Sequence, residues 1–130
     1  IEFADEDLSG FREELWTTLC QGENVDSVSL AKHVAAFVDA AGKEAAKRRR
    51  RLRHVIGLVL MFYRQLMFQI VDATVPTQGH LGQLTVALRE VSTGKRIQPR
   101  IDRCLLALGE VDANANLATL IECWIDDLHA

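Results

Sequence analysis

The stretch from Lys43 to about Ala73, KEAAKRRRRLRHVIGLVLMFYRQLMFQIVDA, constrains the fold more than any other part of the chain. It opens with a dense basic block and continues as a mostly apolar run with no proline and Gly57 as its only glycine. Such a run is one long helix, solvated at its start and buried on nearly every side after that. At about 1.5 Å rise per residue it spans roughly 40–45 Å, long for a domain of this size. Shorter helices are expected to pack around it.

The rest of the chain supplies them. Strand signals are nearly absent: no Asn-Gly or Asp-Gly hairpin turn occurs, and no sustained alternation of apolar and polar residues. Leu8, Phe11, Leu15, Trp16 and Leu19 recur at three- and four-residue spacing up to a stop at Gly22, with Asp5, Glu6 and Asp7 where the helix dipole favours negative charge. Asp26 or Ser27 caps a second helix with Leu30, Val34, Phe37 and Val38 as its stripe and Gly42 as its stop. The long third helix ends near Pro76, which disfavours helical geometry at the residue before it. A fourth helix fits Gln78 or Leu81 to Ser92, with Leu81, Leu84, Leu88 and Val91 on one face and Gly94 closing it. Pro99 suits the first turn of a fifth, with Ile101, Cys104, Leu105 and Leu108 inward. The segment Asp112–Asn116 then breaks the pattern, and Asp112 or Asn114 can cap a sixth segment with Leu117, Leu120, Ile121, Trp124, Ile125 and Leu128 as its apolar stripe. Periodicity does not decide whether the fifth and sixth segments are one kinked helix or two. The expected fold is an all-α bundle of five to six helices around one long helix, in a single domain over residues 1–130.

Composition adds limits. With 48% apolar and 25% charged residues, the chain has the balance of a globular protein with one sizeable core. The net charge of −3 argues against polyanion binding by bulk charge, and the positive charge is local instead. Cys20, Cys104 and Cys123 are odd in number, widely spaced and set among apolar residues, as buried reduced thiols of a cytoplasmic protein would be. Val55–Val71 is slightly short for a membrane span and carries Arg64, Gln65 and Gln69, which makes it a core helix.

Few residues carry chemistry. No glycine-rich phosphate loop is present. His33, His54, His80 and His129 are scattered without metal-ligand spacing, and surface or boundary positions account for them. Glu13-Glu14 and Asp126-Asp127 are adjacent pairs that diverge on a helix and serve as solvated faces. No catalytic, cofactor or metal residue is assigned, and the segment is not expected to be an enzyme by itself. The block Lys47, Arg48, Arg49, Arg50, Arg51 and Arg53 has two readings. It can contact phosphates or an acidic partner surface. It can equally be a solvated turn whose stems cover apolar surface. No aromatic interleaves with the block, so base stacking has no support. Part of the apolar run, where Met61, Phe62, Tyr63, Met67 and Phe68 crowd, offers a face for another subunit, although burial within the domain is the main expectation. A ligand pocket beside Met61 and Met67 is a third option that no polar constellation supports.

Two stretches resemble the C-terminal collar domain of bacterial DNA polymerase III clamp-loader subunits, delta-prime in particular and gamma/tau next. In the first, FREELWTTLCQGENVDS and LAKHVAAFVDAAGKEAAKRRRRLR lead into VIGLVLMFYRQLM, with Tyr63-Arg64 at the family's aromatic–Arg point. In the second, RCLLALGEVDANANLATLIECWIDDL, Asn114 and Asn116 match the family's paired asparagines and Glu122 its following Glu. Leu117 and Thr119 stand where the family often has Pro and Leu, and the usual second Arg or Gln before the asparagine pair is missing. The resemblance implies an all-helical domain that joins the other clamp-loader subunits in a ring-like collar, without cofactor. In that family the ATPase modules lie upstream of it. Asn114 and Asn116 have a structural account as caps of the last helix.

Overall fold

The computed structural model describes residues 5–71, 79, 81, 82, 85, 88, 94–113 and 116–129, with only the backbone of residues 5–7 and Glu23. Among these residues there is no strand. Five helices have defined bounds: α1 (Asp5–Leu19), α2 (Ser27–Asp39), α3 (Ala45–Val71), α4 (Gly94–Glu110) and α5 (Leu117–Leu128). Gly79, Leu81, Gly82, Thr85 and Leu88 are also helical, within the range expected for a helix there. The ends near Pro76 and Ser92, and the predicted face residues Leu84 and Val91, lie outside the described residues.

The local signals for α1 and α2 act as expected. Gly22 and Gly42 have φ of +61° and +114°, a left-handed geometry that glycine adopts without steric cost, and each follows a helix end. Asp26 caps α2, accepting from the backbone N–H groups of Val28 and Ser29 at 3.1 and 3.2 Å. The segments on either side of Asp112 are separate helices, joined by a turn at 111–113.

Gly94 departs from expectation. It begins α4 instead of ending a helix, so Pro99 lies inside α4 and not in its first turn. The physical reason is packing. Ile97, fully buried, already belongs to the stripe that continues through Cys104, Ala107 and Val111, and extending the helix backward keeps Ile97 in the core. Pro99 is exposed, so the carbonyl deprived of its partner is on the solvated side. Leu105, expected inward, is 53% exposed, because the inward face is set by Ile97, Cys104, Ala107 and Val111.

Packing makes a closed cycle. α3 packs on α2 and α4, α5 packs on α4 and α2, and α1 lies on α3. Arg53 contacts Asp112 while Arg100 lies over the Tyr63 ring, so α3 and α4 run antiparallel. Leu52, Val55, Ile56, Val59, Phe62 and Leu66 of α3 meet Trp124, Ile121 and Ile125 of α5 in one core. Burial of that apolar surface is the main driving force for the fold. α1 is pinned by Trp16, whose indole N–H donates to the Leu58 carbonyl at 2.9 Å. Contacts at Phe37 join three helices: the Phe11 ring lies 3.9 Å from the Phe37 ring, and the Arg51 guanidinium lies 4.6 Å over the Phe37 ring.

Candidate functional site

α3 is the element on which candidate function rests, and its two ends behave differently. Its basic start is largely turned to the protein itself. Arg51 is only 9% exposed and donates to the Phe37 carbonyl at 3.0 Å. In a continued helix that carbonyl would accept from the N–H of Ala41, which instead bonds Val38. Arg48 donates through Nε to the Gly42 carbonyl at 2.6 Å, and Arg53 pairs with Asp112. Lys47 is 3.9 Å from Glu44, the residue just before α3. Arg49 is half-buried and Arg50 is exposed. The block therefore places cations at the C-terminal end of α2, where unpaired carbonyls and the helix dipole favour them. That position offsets the cost of putting arginines at the start of α3.

The apolar remainder of α3 has a buried side and an open one. Leu52, Val55, Ile56, Val59, Phe62, Tyr63, Leu66 and Gln69 are buried. Met61, Phe68 and Val71 are 50%, 49% and 76% exposed. The expectation of burial on nearly every side is thus corrected: Phe62 and Tyr63 enter the core, whereas Met61 and Phe68, from the same crowded section, face out. By length and composition α3 could cross a membrane, but its inward residues form the centre of the bundle. Arg64 is exposed with its guanidinium 6.0 Å over the Phe68 ring.

The family-motif residues are dispersed. Asn116 caps α5, its side-chain oxygen accepting from the Thr119 N–H at 3.1 Å. Asn114 lies outside the described residues. Glu122 is exposed on the wall of a groove of about 420 Å³ between α2 and α5, with Val28, Ala31, Lys32, Ala35 and Cys123. Comparison with protein-family models, curated proteins and solved structures finds no match.

The titratable side chains take structural positions. Among the described residues no group of three or more His, Cys, Asp or Glu could hold a metal ion. His33 is 3.1 Å from Glu14 and stacks on Phe11, His54 is exposed, His129 bonds the Ile125 carbonyl at 3.0 Å, and His80 is outside the described residues. All three cysteines are free. Burial pushes the thiols of Cys20 and Cys104 up to about 11. Cys123 is exposed, which corrects its expected burial. Asp127 is exposed, as expected of a solvated face, and also accepts from Arg103 at 2.7 Å. Sequence reasoning also missed Arg51 as a core residue. Its place at the edge of the apolar run, next to Leu52 and one turn before Val55, was the one available signal.

Proposed function

We propose that this chain is a non-catalytic assembly domain: the collar portion of a bacterial DNA polymerase III clamp-loader subunit, delta-prime first, acting in the cytoplasm in loading the sliding clamp for DNA replication. The observation that carries the reading is the open side of α3. A helix at the centre of a core also presents Met61, Phe68 and Val71 to solvent, as a packing face for another chain does. Two further features support it. The domain is all-helical with one long helix, and Asn116 caps the last helix as the paired-asparagine motif requires.

The competing reading is a basic module that binds nucleic acid through residues 47–53. Arg48, Arg51 and Arg53 are tied to Gly42, Phe37 and Asp112, which leaves a reduced set for phosphates. Co-expression with the collar domains of the other clamp-loader subunits tests the assembly reading. Stable co-purification is expected, and a folded chain that associates with none of them overturns it. Binding of duplex or single-stranded DNA that falls steeply with salt would favour the competitor.

A further inference from the structure

The open side of α3 is spaced as a seam. Arg50, His54, Gly57, Met61, Arg64, Phe68 and Val71 follow alternating steps of four and three residues, the heptad spacing that keeps one line of a helix facing a partner helix. All of these residues are exposed except Gly57, which is half-buried. Gly57 makes a notch in the line: a Cβ added there would meet nothing within 4 Å. A glycine inside a helix costs about 1 kcal/mol relative to alanine, and no packing within the chain requires one at this place.

The seam complements itself under a two-fold axis. In an antiparallel pair centred between Met61 and Arg64, Phe68 of each copy falls opposite Gly57 of the other, Met61 opposite Arg64, and Val71 opposite His54. These are the layers of an antiparallel helix pair, and the large exposed ring meets the one position without a side chain. Charge selects the same direction. α3 carries Lys47, Arg48, Arg49, Arg50, Arg51, Arg53 and Arg64 and no Asp or Glu. Parallel pairing would superpose the two basic starts. Antiparallel pairing sets them far beyond a Debye length of about 8–10 Å and brings each toward the negative end of the partner's dipole.

We propose that a second copy of this chain covers the face, the two α3 helices pairing antiparallel with Phe68 of each seated on Gly57 of its partner. Phe68, Met61 and Val71 supply the apolar contact, and Gly57 allows the close approach. The layers from His54 to Val71 span roughly 26 Å of helix. That is the low end of specific interfaces, so the dimer is weak, with a dissociation constant in the micromolar range. This inference does not rest on the clamp-loader reading, and because both use Met61, Phe68 and Val71, a collar partner seated there would displace the second copy.

Sedimentation velocity on the chain, from low micromolar to several hundred micromolar, tests it. A reversible monomer–dimer equilibrium is expected. Phe68→Glu should leave a monomer throughout, with circular dichroism unchanged because the residue is half exposed. Gly57→Leu should fill the notch, weaken dimerisation at least about tenfold and leave the melting temperature of the monomer the same or higher. A monomer at every concentration overturns the proposal. A dimer that persists in Phe68→Glu overturns the seam, and one that persists in Gly57→Leu overturns the register.

Discussion

The guanidinium of Arg51 donates to the backbone carbonyl of Phe37 at 3.0 Å and lies 4.6 Å over the ring of that same residue. One cation thus satisfies the end of α2 and fixes the angle at which α3 leaves it. Arg51→Ala removes a charged hydrogen bond at a partly buried carbonyl and the stem that covers the core, an expected loss of about 1.5–3 kcal/mol in urea unfolding. Arg51→Lys should recover only part, since an ammonium lacks the planar fork that bonds and stacks together. Arg50→Ala, at an exposed neighbour, should stay within about 0.5 kcal/mol. Equal losses at both positions would remove Arg51 from this role.

The cap on α5 allows a similar test. Asn116→Ala leaves the Thr119 N–H without its side-chain acceptor and should cost about 1 kcal/mol. Asn116→Asp keeps an acceptor at a site the dipole favours and should retain the stability. Thermal unfolding of the two variants separates a capping role from any other the asparagine has.

Those two residues mark what a sequence can carry. Gly22, Asp26, Gly42 and Asn116 act through bonds and dihedrals within a few residues, so their roles at helix ends are visible in the chain itself. Arg48, Arg51 and Arg53 are alike in sequence to Arg50, and only the position of α2 and of the turn holding Asp112 distinguishes them. Gly94 and Pro99 show the opposite conflict, in which local preference suggests one helix start and burial of Ile97 sets an earlier one. The rotation of α3, which sends Phe62 inward and Met61 outward, depends on where the other helices sit. The crowding of large apolar residues announced a long buried helix, but not which side of it stays open.

Burial of Cys104 predicts a loss of stability at alkaline pH. The folded protein holds the thiol proton up to about 11, while the unfolded chain releases it from 9.0. The unfolded state therefore binds fewer protons across that window, and stability present below pH 9 declines as pH rises toward 11. A two-unit difference corresponds to at most about 2–3 kcal/mol. Cys20 and Tyr63, also raised by burial, act in the same direction. Denaturant midpoints between pH 8 and 11 should fall for the natural chain and fall less steeply for Cys104→Ala, whatever its stability at neutral pH. At neutral pH the exposed Cys123 should be the first thiol to react with a disulfide reagent.

Arg103 joins the last two helices. It donates to Asp127 of α5 at 2.7 Å and to Glu110 at the end of α4 at 2.9 Å, with its side chain 15% exposed. A half-buried guanidinium between two carboxylates is screened less than a surface pair and is already held by its packing, so little side-chain entropy opposes the contact. A double-mutant cycle with Arg103→Ala and Asp127→Ala should give a coupling of about 1 kcal/mol, at the upper end for partly exposed pairs. The same cycle on Lys47 and Glu44, 3.9 Å apart and more exposed, should give a few tenths at most. Repeating both cycles at high salt should erase the second coupling and leave most of the first. Equal couplings would mean that Arg103 contributes no more than an exposed ion pair to the docking of α5, which would then rest on its buried residues Leu120, Ile121, Trp124, Ile125 and Leu128.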